Sequence, residues 1–346
     1  MTRKKTGLGE IARQLQISKS TVSFILNGKA EEMRISNALS EKVINLAREL
    51  NYVPNQLAKS LRTGKSHLIG LIVEDISNPF FAGVARLIEE KADAKGYKII
   101  YCSSNNDVKK TAELIKVFRE RQVDGYIITP SPGIENDLQA LQQHHLPLVL
   151  VDRYLPELNT NYVGVDNKEG TYHAICHLVD QGYQDIGFVT LNTKQPQMLE
   201  RLAGYEKATR EHSLKKWIKK VNYKNSHEQI TKEIASYISS NEQLDAIFFA
   251  TNYLGISGLE AIRTLRLRIP GDIAVISFDD HDLFRLYSPS ITVVAQPVEQ
   301  LSRKSIEVVL NDIEHEQERV KIKKFILPTS LIVRESSLQK EPEYSK

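Results

Sequence analysis

Residues 16–28, Gln16-Ile17-Ser18-Lys19-Ser20-Thr21-Val22-Ser23-Phe24-Ile25-Leu26-Asn27-Gly28, read as a turn followed by one short helix with a start, a face and a stop. Ser18 is a good N-cap, because its hydroxyl accepts from a backbone N–H in the first turn. Val22, Ile25 and Leu26 share one side at helical spacing, and Asn27-Gly28 ends the run. Just upstream, Leu8, Ile11, Ala12 and Leu15 recur with the same period, so Gln16-Ile17-Ser18 joins two helices. Downstream, Ser36 caps a third helix carrying Leu39, Val43, Ile44, Ala47 and Leu50. Pro54 then opens a short segment, Asn55 to Leu61, which Thr63-Gly64 closes. The first two helices have helix-turn-helix spacing, in which the second lies in a DNA major groove with its N-terminal residues on base edges. A generic three-helix surface fits the same spacing.

Charge separates this head from the rest. Residues 1–66 carry +7, and residues 67–346 carry −4, so the overall +3 hides a basic head on a mildly acidic body. That asymmetry suggests a polyanion partner for the head alone, although a basic segment is often only a solvated tail. Hydrophobic content of 41% and charged content of 26% are globular values, and 346 residues exceed one ordinary core. Cys102 and Cys176 each lie in an apolar run, which is no disulfide framework and fits a reducing cytoplasm. Neither a signal-peptide apolar region nor a membrane-length apolar window occurs, so a soluble, cytoplasmic protein is expected.

From Leu68 onward the pattern changes to strands alternating with helices. Strand runs fall at 68–75, 97–104, 125–129, 146–152, 162–165, 186–190, 246–250 and 273–279. Helical patterns fill 80–95, 108–121, 134–144, 168–181, 198–212, 227–241 and 252–265. Two successive sets of βαβ units imply two similar parallel-sheet lobes. Ligands bind beyond the carboxyl ends of strands in such lobes, so site residues are sought just after each apolar run.

Several segments in order along the chain resemble the LacI/GalR family of bacterial repressors. Ile17-Ser18-Lys19-Ser20-Thr21-Val22-Ser23 with Leu26-Asn27-Gly28 is similar to its recognition helix. Leu50-Asn51-Tyr52-Val53-Pro54-Asn55 and Leu57-Ala58-Lys59-Ser60-Leu61-Arg62-Thr63-Gly64 resemble its hinge helix. Ile69-Gly70-Leu71-Ile72-Val73 and Asp75-Ile76-Ser77-Asn78-Pro79-Phe80-Phe81 match its first strand and turn. Gly164-Val165-Asp166-Asn167, Arg201-Leu202-Ala203-Gly204-Tyr205, Phe278-Asp279-Asp280 and Leu327-Pro328-Thr329 carry the likeness along the chain.

The resemblance implies an all-α helix-turn-helix head (1–53), a hinge helix and linker (54–66), and a two-lobed α/β effector-binding and dimerisation domain like a periplasmic binding protein (67–346). It implies that Lys19, Ser20, Thr21, Ser23, Phe24 and Asn27 face operator DNA, and that Tyr52 and Asn55 hold its backbone. Ala58 and Lys59 would face the minor groove, and Leu61 would wedge between central base pairs. An apolar wedge partly unstacks a base step and bends the duplex so that more protein contacts it. Packing of Leu61 on the body is the alternative.

Three departures bear on DNA reading. Phe24 stands where many members carry Arg, which removes bidentate guanine reading there. Gln16 replaces a common Gly and is strained if its φ is positive. The loop 29–35 looks about three residues longer than is usual in the family.

In the body, the resemblance maps the ligand site onto Asn78, Phe80, Phe81, Asp152, Arg201, Asn252, Asp279 and Gln296. Aromatic faces with carboxylate, amide and guanidinium groups suit a polyhydroxyl ligand, whose hydroxyls both donate and accept. Helix capping and cross-cleft pairing are the alternatives for some of them. Tyr253 replaces a carboxylate common after the family's Asn, and Asp166-Asn167 reads as a helix cap. His173, Cys176 and His177 have a metal-like spacing but read as helix packing, and Asp279-Asp280 point apart on a strand end. The run Lys215–Lys220 reads as a solvated lobe edge, with Trp217 a possible shield of the cleft.

The expectation is thus a ligand-controlled repressor of a carbohydrate-use operon, with no cofactor, no metal and no catalysis. Its partners would be a pseudo-palindromic duplex operator, a sugar or sugar derivative, and a second copy of itself in a homodimer or tetramer, with no membrane. An activator of the same architecture is the alternative. A sugar-binding protein or a sugar enzyme fused to a DNA-binding head is a more distant one.

Overall fold

The computed structural model describes residues 7–52, 64–315 and 321–339. The chain divides into two compact units between Ser66 and His67. Asn55, Ala58, Lys59 and Leu61 lie outside the described residues.

The first unit holds α1 (Leu8–Gln14), α2 (Lys19–Leu26) and α3 (Asn37–Glu49). Ser18 and Ser36 cap the second and third helices, accepting from Thr21 N and Leu39 N. Ile11, Ala12, Val22, Ile25, Val43 and Ala47 form a common core, the small apolar set that lets three short helices stand together. Gln16 has φ 55°, so a side chain sits in the left-handed region where glycine is the unstrained choice. The turn is fastened by Ile17 N donating to Ala12 O at 3.0 Å. Residues 30–34 of the following loop form a run of turns, with Arg34 also left-handed at φ 54°.

The second unit contains two six-stranded sheets. Its elements are β1 (Leu68–Val73), α4 (Pro79–Asp93), β2 (Lys98–Ser103), α5 (Val108–Glu120), β3 (Gly125–Ile128), α6 (Glu135–Gln143), β4 (Leu148–Val151) and β5 (Asn161–Val165). There follow α7 (Asn167–Asp180), β6 (Ile186–Leu191), α8 (Pro196–Glu211), β7 (Trp217–Val221), α9 (His227–Ser239), β8 (Ala246–Phe249), α10 (Asn252–Thr264) and β9 (Ala274–Phe278). The chain ends with α11 (Asp282–Leu286), β10 (Thr292–Ala295), α12 (Val298–Glu314), β11 (Lys324–Leu327) and β12 (Ser330–Ile332).

The strand orders are β11-β5-β4-β3-β1-β2 and β12-β10-β9-β8-β6-β7. Every pairing is parallel except β10 with β12. Central strands are buried along their length, as expected where helices cover both faces. The chain crosses between lobes at β5–α7, β10–α12 and β11–β12, so α12 and β11 return to the first lobe although they come last in sequence.

One expectation changes. The run around Trp217 is strand β7, paired on one side with β6, and the Trp217 indole N–H donates to Asp185 at 3.0 Å. Trp217 is not among the residues lining the cleft described below. His177 is held by Ser337 Oγ at 2.8 Å, and Cys176 faces His212 at 3.6 Å. Among the described residues no group of three His, Cys, Asp or Glu side chains is placed to hold a metal, and no helix is long and apolar enough to cross a membrane.

Candidate functional site

The carboxyl ends of β1, β4, β6, β8 and β9 converge between the lobes of the second unit, and the side chains just past them line a cleft. Asp152 follows β4 in the first lobe, and Asp279 follows β9 in the second. Both are buried and both have left-handed backbone, with φ 70° and 69°. The chirality of L-residues disfavours that region by about 1–2 kcal/mol, so the surrounding structure must hold it.

Asp279 is gripped from three sides. Gln296 Nε2 donates to it at 2.6 Å, the Asn252 backbone N–H donates as well, and the Arg201 guanidinium lies 3.8 Å away. Burial nevertheless pushes its carboxyl up from the ordinary carboxylate value, and does the same at Asp152. Arg201 extends from α8 over the ring of Phe278, 3.5 Å from its centroid. Its Nε donates to Asn167 at 2.9 Å and its Nη1 to Ala250 O at 2.7 Å. Gly204, one turn further along α8, packs against the Lys168 carbonyl so closely that no Cβ fits there. That close approach of α7 and α8 fixes where Arg201 emerges.

The opposite wall comes from α4. Asn78 caps that helix by accepting from Phe80 N at 3.0 Å, and its Oδ1 also accepts from Asn252 Nδ2 across the cleft at 3.2 Å. Phe80 and Phe81 stand edge to face behind it, with centroids 5.0 Å apart. Seven of the eight expected residues therefore line one cleft: Asn78, Phe80, Phe81, Asp152, Arg201, Asp279 and Gln296. Asn252 sits behind it, joined to Asn78 and to Asp279.

Sequence reasoning passed over Arg153, Glu74, Gln195 and Gln197, which line the same cleft, as does Tyr253, noted there as a departure from the family. Arg153 is almost wholly buried and ion-pairs with Glu74, while its Nη1 donates to Asn106 at 2.7 Å. The signal was present, since Glu74 and Arg153 also follow apolar strand runs. Asp166 caps α7 as its sequence suggests, accepting from Glu169 N at 3.0 Å. Asn167 does more than begin a helix, because it bridges Arg201 and Glu200. Asp280 turns away from Asp279 to pair with Arg334 at 2.7 Å.

Among the described residues, hydrogen bonds cross between the lobes from Asn252 to Asn78, from Gln195 to Asn106 at 3.3 Å, and from Tyr154 OH to Glu200 at 3.0 Å. The free volume of the cleft is about 40 Å3, space for a few waters and too little for a sugar ring. Entry of such a ligand requires the lobes to part.

In the first unit, Lys19, Ser20 and Asn27 of the recognition segment are exposed, and Thr21, Ser23 and Phe24 are half-buried. Thr21 Oγ1 shares a hydrogen bond with the cap Ser18 at 2.8 Å. Asn27 folds back onto Ser23, donating to its carbonyl at 2.7 Å. Lys19, Ser20, Ser23, Phe24 and Asn27 thus share the outer face of α2, opposite buried Val22 and Ile25. Tyr52 packs against the core of this unit.

Comparison with known proteins agrees in both units. A family profile described as "Bacterial regulatory proteins, lacI family" matches residues 7–55, and one described as "Periplasmic binding protein-like domain" matches residues 175–337. The ribose operon repressor of Haemophilus influenzae is 30% identical over 94% of this chain and 97% of its own length. The HTH-type transcriptional regulator KdgR of Bacillus subtilis is 32% identical over 91% and 94%. Among solved structures, the lac repressor dimer bound to operator and an anti-inducer superposes with a TM-score of 0.82. It covers 97% of this chain and 100% of that one at 23% identity.

Proposed function

The chain belongs to the LacI family of bacterial transcriptional regulators, and from that premise we propose that it represses a carbohydrate-use operon under the control of a sugar-like ligand held between its lobes. The observation that carries this reading is the cleft. Residues from both lobes, Asn78, Phe81, Asp152, Arg153, Arg201 and Asp279 among them, present aromatic faces and polar groups to one cleft.

The division of labour follows the chain. Residues 1–53 read an operator half-site through α2, 54–66 act as hinge, and 67–346 bind effector and pair with a second copy. One head reads only half of a palindrome, so the working unit is a homodimer. Its place is the cytoplasm, on the nucleoid. Occupation of the cleft changes which lobe arrangement is populated, and through it the pairing of the two hinge segments. By linkage, operator and effector then alter each other's affinity by the same factor.

The test is anisotropy of labelled DNA from upstream of the gene and its neighbours, titrated with protein with and without sugars that raise the melting temperature. A stabilising sugar is expected to change operator affinity. If it binds without any such change, ligand control is wrong.

A further inference from the structure

The charges and hydrogen-bonding groups of the cleft select a ligand class, an inference that rests on the cleft being the effector site. Five charged side chains line it: carboxylates of Glu74, Asp152 and Asp279 against guanidiniums of Arg153 and Arg201, an excess of one negative charge. Glu74 is the source of that excess. It follows β1, is 8% exposed, and ion-pairs with Arg153, which is 2% exposed. Tyr223 and Tyr253 of the second lobe lie against it, and their hydroxyls are pushed up by burial and by its charge.

Arg153 is fully engaged, and Arg201 is engaged through two of its three nitrogens. Arg153 donates Nη2 to Glu74, Nε to Asp152 at 3.3 Å and Nη1 to Asn106 at 2.7 Å, so each of its nitrogens has a protein acceptor. Arg201 commits Nε to Asn167 and Nη1 to Ala250 O. Acceptors, by contrast, are in surplus. Gln296 turns its amide nitrogen to Asp279, which directs Oε1 away, and that oxygen is buried with no partner in the protein. Gln197 Oε1, also on the cleft wall, is likewise buried and unpartnered. A carboxylate or phosphate brings only acceptors and a further negative charge to such a wall. Hydroxyl and ammonium groups bring the donors it lacks.

We infer that the effector is a polyol without negative charge, a neutral or amino sugar, and that Glu74 is the residue that bars sugar acids and sugar phosphates. Glu74 thereby acts as an internal counter-ion, holding Arg153 in place of an anionic ligand.

The experiment is a thermal-shift and calorimetric panel on the full chain. The probes are D-ribose, D-xylose, D-fructose, D-glucose and D-glucosamine against D-gluconate, D-galacturonate and ribose 5-phosphate, repeated with Glu74→Gln and Glu74→Asp. Wild type should respond only to members of the first group. Glu74→Gln keeps the shape but releases Arg153, and should gain at least about tenfold in affinity for a sugar acid. Glu74→Asp keeps the charge and should continue to reject acids. Cooperative melting and unliganded operator binding establish that each variant is folded. Binding of gluconate, galacturonate or ribose 5-phosphate to wild type overturns the inference while leaving ligand control intact. A folded Glu74→Gln that still rejects acids overturns the role of Glu74. If no probe of either charge binds or alters operator affinity, the sugar-responsive reading itself falls, and this inference with it.

Discussion

Asp152 and Asp279 occupy equivalent places in the two lobes: each is the first residue past a buried parallel strand, each is buried, and each has a left-handed backbone, with φ 70° and 69°. A short polar side chain tolerates that conformation better than most. The paired placement puts one carboxylate on each jaw of the cleft, with Arg201 of the second lobe electrostatically coupled to both.

Removing Asp279 should therefore cost more than a ligand contact. Asp279→Ala deletes the acceptor for Gln296 and for the Asn252 backbone, takes the nearest counter-charge from buried Arg201, and puts an alanine at positive φ. Breaking a buried pair from one side costs about 3 kcal/mol or more. We expect a lower urea midpoint with an unchanged slope, together with loss of any effector response in the DNA-binding assay. Asn in the same place should retain most of the stability.

The pH dependence of stability has a sign that can be checked. Burial raises the carboxyls of Asp152 and Asp279 above their unfolded value of 3.8. Such groups contribute stability that is present below the unfolded value and is lost as pH rises through the folded one. His177 acts oppositely: burial lowers it from 6.5, so its contribution is lost as pH falls toward the folded value. Comparing wild type with Asp279→Asn cancels His177. Wild-type stability relative to the variant should be lowest at neutral pH and rise as pH falls toward 3.8. A flat difference would show that Asp279 is not raised.

Tyr154→Phe tests closure without touching the cleft wall. It deletes the hydrogen bond from the first lobe to Glu200 in the second, whose other carboxylate oxygen accepts from Asn167. A hydrogen bond to a charged acceptor contributes about 1.5–3 kcal/mol. We expect roughly tenfold weaker binding of any sugar that stabilises wild type, and faster dissociation. Equal affinity in the two proteins would mean that this contact opens in the liganded form.

How much of this was legible depended on pattern. The cleft residues at strand ends could be located because each follows an apolar run, and the capping serines announced α2 and α3. Glu74 was read as the tail of a strand and Arg153 was not singled out, since nothing local shows that one neutralises the other from 79 residues away. The strands missed, β7, β10, β11 and β12, are short, and in β7 Lys219 and Lys220 break the apolar run, as a strand paired on one side permits. Return of α12 and β11 to the first lobe is a topological fact with no local signature. Gln16 was different: the sequence posed its strain conditionally, and φ 55° answers it.

On the DNA side, the residue to change is Phe24. It is half-buried on the outer face of α2 with Lys19, Ser20, Ser23 and Asn27, while Val22 and Ile25 form the inner face. An aromatic edge there has no bidentate pairing to offer a guanine, but it makes apolar contact with a thymine methyl. Phe24→Ala should therefore relax preference at one base pair of each half-site by about 1 kcal/mol, the worth of one buried methyl contact. The salt dependence of binding, which counts phosphate contacts, should stay as it was. Selection of binding sites from a randomised duplex pool, followed by salt titration of both proteins, measures the two effects separately. A variant that keeps the wild-type preference at every position would place Phe24 off the bases, and the reading of sequence would rest on Lys19, Ser20 and Ser23.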